Sequence, residues 1–184
     1  MRSLFISDLH LQASRPDITR ALLNFLDTQA QQCQQLYILG DLFEAWIGDD
    51  AVTPDQQTVI DALRQLTNQG VELFFQHGNR DFLVQNGFCQ ATGCQLLPEQ
   101  VTVPLPSGPA LLMHGDQLCT DDHEYMAFRQ QLRNPKWQMD FLNKSISERL
   151  EVARQLRAAS QSKNAGKTLE IMDVNQLSVE AALN

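Results

Sequence analysis

No apolar run in these 184 residues reaches the length that crosses a bilayer. No secretory leader is expected either. Met1-Arg-Ser-Leu-Phe-Ile-Ser-Asp8 places a carboxylate where a leader needs an unbroken apolar region. The expectation is a cytosolic chain that opens directly on a strand. Cysteine is scarce: Cys33, Cys89, Cys94 and Cys119, with no CxxC pair and no zinc-ribbon spacing. Free thiols are expected. Cys119 lies close to His114, but no activating base is evident in sequence, so a nucleophilic role has little support. There is no repeat of domain size and no low-complexity tract. The hydrophobic fraction of 43% excludes a disordered chain, and the length allows one sizeable domain or a core with a small appendage.

What is present is unevenly charged. Residues 129–167 hold nine of the fourteen Lys and Arg with three acids, a net of +6. The other 145 residues carry −14. The acidic part suits hard cations and opposes a long nucleic-acid backbone, which makes a nuclease a weaker reading. The basic segment suits phosphates or an anionic membrane surface.

One stretch organises the rest: Leu36-Tyr-Ile-Leu-Gly-Asp41-Leu-Phe-Glu44. Four apolar residues run into a glycine and then an acid, the pattern of a buried strand stopping at a turn. The design recurs. Leu4-Phe-Ile-Ser7 leads into Asp8-Leu-His10. Val71-Glu-Leu-Phe-Phe75 leads into His77-Gly-Asn79-Arg80-Asp81. Ala110-Leu-Leu-Met113 leads into His114-Gly-Asp116. One strand ending in an acid is ordinary, but four strand ends supplying Asp, His, Asn and His are hard to explain as packing. Ligands of open α/β sheets gather at such ends.

In order, strands are expected at 3–7, 36–39 and 71–76. Strands of a meander are expected at 95–97 and 101–105, then a Ser107-Gly108 turn and a strand at 110–113. Ile18, Leu22, Phe25, Leu26 and Ala30 recur at helical spacing behind Pro16. Thr53-Pro54-Asp55-Gln56 reads as a capping box. Residues 81–92 read as short helical turns broken by Gly87 and Gly93. Trp46, among acids, suits either a core plug or a wall beside the site. After Thr120 an apolar stripe runs through helices to Leu150, and residues 168–183 read as a final helix. The implied domains are a core over 1–120, a helical cap over 121–167 and a returning helix over 168–184.

Asp8, His10, Asp41, Asn79 and His114 form a mixed oxygen and nitrogen donor set that suits Mn, Fe or Zn and lacks the thiolates of a structural zinc site. Asp8 and His10, two apart in an extended backbone, can face one ion. Asp41, on the central strand, is the natural bridge between two ions. Two such ions activate water and clamp a phosphoryl oxygen. Singly, His10 and His77 read as ordinary histidines, Asn79 as a turn residue and Asp116 as a buttress for His114.

Asp8-x-His10, Gly40-Asp41-x-x-Glu44, Gly78-Asn79-Arg80-Asp81 and His114-Gly115-Asp116 resemble the signature blocks of the calcineurin-like metallophosphoesterases. Longer strings resemble one branch, which hydrolyses the pyrophosphate of UDP-linked, diacylated glucosamine in lipid A biosynthesis. They are Tyr37 to Asp50, His77 to Phe82, Met113 to Asp116, Leu118 to Asp122 and Ile171 to Asn175. The likeness covers essentially the whole chain. It implies an α/β fold, a β-sandwich flanked by helices with a helical cap. It implies an enzyme yielding UMP and the acylated sugar 1-phosphate, peripheral on the cytoplasmic face of the inner membrane, with no obligate protein partner. Two Mn ions are implied, one on Asp8, His10 and Asp41, the other on Asp41, Asn79 and His114. Asp41, Asn79, Arg80 and His114 are implied as catalytic. Asn79, Arg80, Asp122, Tyr125, Ser160, Asn164 and Lys167 are implied as substrate contacts. Many relatives place His where Arg80 stands. A phosphate monoester leaves with little protonation, so an arginine that offsets charge serves better.

The chain departs from the pattern in one respect. The family closes its site with Gly-His-x-His near the C-terminus, and the four histidines here are His10, His77, His114 and His123. The expectation is a C-terminally truncated core lacking its last strands, with one imidazole fewer per metal, weak metal binding and slow turnover. The alternatives are another metallophosphoesterase, such as a nucleotide pyrophosphatase or cyclic-nucleotide phosphodiesterase, and an inactive remnant.

Overall fold

Parallel strands joined by helices follow from the alternation of short apolar runs with longer periodic segments. The structure, a computed structural model, describes residues 2–106, 108–164 and 166–183, without the side chains of 163, 164, 169 and 170. It divides into two compact units, Met1–His114 and Gly115–Asn184.

The first unit holds β1 (Ser3–Ile6), α1 (Pro16–Thr28), β2 (Gln35–Ile38), α2 (Pro54–Asn68), β3 (Glu72–Phe75), α3 (Asn86–Thr92), β4 (Gln95–Leu96), β5 (Gln100–Leu105) and β6 (Gly108–Met113). β1 to β4 form one parallel sheet in sequential order. Right-handed crossovers in that order put α1 and α2 on one face. They bury Leu22, Leu26, Val59, Ile60, Leu63 and Leu66. The expected capping box at α2 is present, with the Thr53 hydroxyl accepting the Gln56 amide and the Gln56 side chain accepting the Thr53 amide. Pro16 opens α1 as expected.

β5 and β6 form a separate antiparallel hairpin. Val103 and Leu112 pack with Tyr37 and Phe74 of the sheet. Phe5, Tyr37 and Phe74 are direct partners across β1, β2 and β3, and their rings stack at 4.9 and 4.6 Å. The expected meander is corrected here. β4 pairs parallel with β3, not with β5. The Gln76 side chain, buried at the end of β3, donates to the carbonyls of Pro98 and Leu112 and ties in the connection. Ser107 lies outside the described residues.

One further expectation changes, and one left open is decided. Gly87 does not break its segment: α3 runs through it and stops at Gly93, whose φ of +81° is left-handed. A side chain at 87 would meet the Asp49 carboxylate, which accepts the amides of Gln85 and Phe88. Trp46 is a core plug. It is buried beside Phe43 and Phe88 and donates its indole N–H to Asp49.

The second unit is helical: α4 (His123–Leu132), α5 (Pro135–Leu142), α6 (Ile146–Asn164), α7 (Leu169–Met172) and α8 (Gln176–Ala182). The single helix expected over 168–183 is two. Asp173 and Asn175 are extended, and the Asn175 side chain caps α8 through the Ser178 amide. No helix among the described residues is long and apolar enough to cross a membrane.

Candidate metal centre

The loops leaving β1 and β2 stay paired beyond the strands. The amides of Asp8, His10 and Leu11 donate to the carbonyls of Gly40, Asp41 and Leu42, and Glu44 N–H returns to Leu11. Along this ribbon Asp8, His10 and Asp41 have φ of 56°, 49° and 53°. They are the non-glycine residues with positive φ among those described. Each such conformation costs about 1–2 kcal/mol, and such strain collects at functional sites. The structure therefore corrects the reason given for the Asp8–His10 pair. The two converge because the backbone is left-handed at both, not because it is extended.

The result is a cluster in which ligand atoms of Asp8, His10 and Asp41 lie within 4.8 Å of one another. Asp41 is buried and stands between two imidazoles. Its Oδ2 is 3.7 Å from His10 Nε2, and its Oδ1 is 3.8 Å from His114 Nε2. Neither distance is a hydrogen bond. His114 donates from Nδ1 to the Leu39 carbonyl at 2.8 Å if the tautomer is the one that satisfies that oxygen. That leaves Nε2 with a bare lone pair facing Asp41. A backbone carbonyl behind the distal nitrogen is the usual way of aiming a metal-binding histidine. Leu39, not Asp116, is thus the buttress of His114. Asp116 spends its oxygens on Tyr125 and Arg129. His10 turns its Nδ1 toward Glu44 Oε2 at 3.3 Å.

Behind the cluster, Asp81 is fully buried and accepts the amides of Asp41, Leu42 and Gly78. Burial, and then the charge of Asp41, push its carboxyl up to about 6, against the pull of the three amides. Gly40 and Gly78 let the strands' ends close up. A Cβ at Gly40 would meet Gly78 and, at 2.9 Å, His114 Nδ1, and one at Gly78 would meet the amide and carboxylate of Asp41. Asn79 is half-buried in the same turn. The Arg80 amide donates to Asp41 Oδ1, while its buried Nε has no hydrogen-bond partner among the described residues. His77 is structural, with Nε2 on the Val84 carbonyl.

The donors fit divalent cations. The Asp8 carboxylate and the His10 imidazole lie within 4.8 Å of an Asp41 oxygen, and the His114 imidazole stands 3.8 Å from Asp41 Oδ1.

In the second unit, Asp122 caps α4 through the Tyr125 amide and holds Lys167 Nζ at 2.6 and 2.7 Å. Burial works to raise its carboxyl, but Lys167 and the amide outweigh that and hold it below the ordinary range. Two residues expected to touch substrate are therefore ion-paired with each other. Tyr125 donates its hydroxyl to Asp116. Ser160 is half-buried on α6, and the side chain of Asn164 lies outside the described residues. Burial, and then Asp116, Asp173 and Asp122, push the Cys119 thiol up, which disfavours its thiolate.

A model of the calcineurin-like phosphoesterases matches residues 1–164. The chain belongs to that family. The sequence is also similar to curated UDP-2,3-diacylglucosamine hydrolases. That of Cellvibrio japonicus is 52% identical over 174 residues, covering 95% of this chain and 72% of the relative. That of Pseudomonas paraeruginosa is 48% identical over 183 residues, 100% and 76% of the two chains. That of Chromohalobacter salexigens is 49% identical over 183 residues, 100% and 74%. Among solved structures, the Pseudomonas putida nuclease MPE is 24% identical over 56% of this chain and 50% of its own, with a TM-score of 0.43. As a phosphoesterase of this family the chain is a hydrolase. Glu44, Asp81 and the Leu39 carbonyl were missed as supporting groups. Glu44 and Asp81 sit inside the quoted motifs, but a backbone carbonyl leaves no mark in a sequence.

Proposed function

We propose that the chain hydrolyses the pyrophosphate of UDP-2,3-diacylglucosamine, giving UMP and 2,3-diacylglucosamine 1-phosphate (lipid X) for lipid A biosynthesis. The observation that carries this reading is Asp41, buried between His10 and His114 with one oxygen toward each. The 48–52% identity to enzymes named for that substrate supports it. Asp8, His10 and Asp41 would hold one Mn ion, and Asp41, Asn79 and His114 the other. Bound there, such ions activate water and stabilise charge on the phosphoryl oxygens.

The protein's own groups do the rest. Asp81 and the Gly40–Gly78 contact hold Asp41 in register. Leu39 holds His114 with Nε2 presented. Arg80 offers its unpartnered guanidinium nitrogen to a phosphate, offsetting charge as the sugar phosphate leaves. Asn79, Asp122, Tyr125, Ser160, Asn164 and Lys167 contact substrate. Residues 121–167 take the acyl chains. Met139, Ile146 and Leu150 are exposed apolar residues in that basic segment. They suit acyl chains and peripheral attachment at the cytoplasmic face of the inner membrane. Nucleic acid is not a partner.

The test is Mn-dependent UMP release from UDP-2,3-diacylglucosamine by the 184-residue chain, beside Asp41→Ala. Release lost in the variant is the expected result. Equal rates in both, or preference for a soluble phosphodiester without acyl chains, would overturn the reading.

A further inference from the structure

The family chemistry makes no use of two thiols that the fold brings together. Cys89 lies in the last turn of α3, half-buried, and Cys94 is buried just before β4. Their Sγ atoms are 3.5 Å apart, with the Cys94 thiol directed at Cys89. The approach is built by the helix stop. Gly93, at φ +81°, donates its amide to the Cys89 carbonyl and turns the chain back over the helix end. Thr92 Oγ1 accepts the Cys94 amide and donates to Phe88. Thr67 of α2 holds the Thr92 carbonyl at 2.7 Å. Asp49 holds the other end of α3 through the amides of Gln85 and Phe88. The dithiol is thus gripped from both sides.

We propose that Cys89 and Cys94 are a redox modification site, forming a reversible intrachain disulfide on reaction with a hydroperoxide. Cys89 is the attacking thiol and Cys94 the resolving one. The Cys89 thiolate attacks the distal peroxide oxygen, the O–O bond breaks, and the leaving oxygen takes the proton that Cys89 released. The Cys89 sulfenic acid is then attacked by Cys94. The S–O bond breaks, and hydroxide leaves as water with the Cys94 proton. One dithiol and one hydroperoxide become one disulfide, one alcohol (or water) and one water, a balanced two-electron exchange. The S–S bond of about 2.0 Å needs the sulfurs to close by roughly 1.5 Å.

The order of attack follows from the surroundings. The hydrogen bond from Cys94 holds the Cys89 thiol below its ordinary value, against burial and the charge of Asp49. That same bond, and then burial, push Cys94 up. Cys89 is also the more exposed of the two. Cys33 is buried with its thiol on the Ala30 carbonyl, and Cys119 is raised by its acids.

The experiment treats the folded chain with equimolar hydrogen peroxide, alkylates free thiols, then digests and weighs the peptides. The expected result is loss of two hydrogens from the segment carrying Cys89 and Cys94. Neither is alkylated, and dithiothreitol restores both sites. In Cys94→Ser a Cys89 sulfenic acid accumulates and is trapped by dimedone. In Cys89→Ser, Cys94 stays reduced. Full alkylation of both after exposure, a Cys89 sulfinic acid in the unmutated chain, or a disulfide to Cys33 or Cys119 would overturn the proposal. The unmutated chain decides alone if a variant fails to fold.

Discussion

The amide of Asp41 donates to Asp81 Oδ1 at 3.1 Å, so a carboxylate forty residues along the chain holds from behind the central residue of the candidate metal site. Asp81 holds Leu42 and Gly78 in the same grip. In Asp81→Asn one of these amides must face an NH2 group instead of an oxygen. The expected outcome is a loss of about 1–3 kcal/mol in urea unfolding and metal affinity weakened roughly 10–100-fold. Unchanged Mn titration in the variant would show that Asp81 does not position Asp41.

Gly78→Ala tests the close approach of the strand ends. Its methyl group would occupy the place of the Asp41 carboxylate and amide. Something must shift, at a cost of about 1–3 kcal/mol. The expected result is a folded but less stable chain that no longer binds Mn measurably by calorimetry. Binding equal to the unmutated chain would mean the turn yields freely.

The pair of Asp116 and Arg129, 2.9 Å apart and both largely buried, predicts a pH dependence. Burial raises the Asp116 carboxyl, but the Arg129 hydrogen bonds and charge outweigh it and hold the group below its ordinary 3.8. A carboxyl lowered in the folded state stabilises the fold above the unfolded value, and this is lost as pH falls through the folded one. Asp116→Asn is therefore expected to cost about 3 kcal/mol at pH 7. The gap between the two urea midpoints narrows as pH falls below 3.8. A gap that stays constant from neutral to strongly acid pH would assign the cost to packing rather than charge.

Asp49 accepts from Trp46 Nε1 and from the amides of Gln85 and Phe88. Asp49→Ala leaves those donors to seek water at the entry to α3. A loss of about 2–3 kcal/mol is expected, read by urea unfolding with Trp46 fluorescence as one probe. An effect below ~0.5 kcal/mol would mean that water replaces the carboxylate at no cost.

Much of the site was legible because its chemistry is concentrated at strand ends. Leu36-Tyr-Ile-Leu announces a buried strand, Gly40 its stop, and Asp41 the group held there. The capping box at Thr53 was equally plain, since it depends on residues three apart. The failures were mostly non-local. The partner of β4 could not be read, because a two-residue strand carries too little pattern to name its neighbour. Gly87 looked like a breaker, since nothing nearby in sequence shows Asp49 capping the helix around it. One helix was expected over 168–183 because its apolar spacing outweighed the capping preference of Asn175.

The sequence by itself determined the parallel α/β order, the strand ends and the donor set, because period, turn residues and side-chain type are local properties. Only the tertiary structure decided which way those donors face. It bent Asp8, His10 and Asp41 into left-handed backbone, placed Leu39 behind His114, and brought Cys94 to Cys89. Each of these depends on hydrogen bonds and close approaches made during packing, and no residue carries them alone.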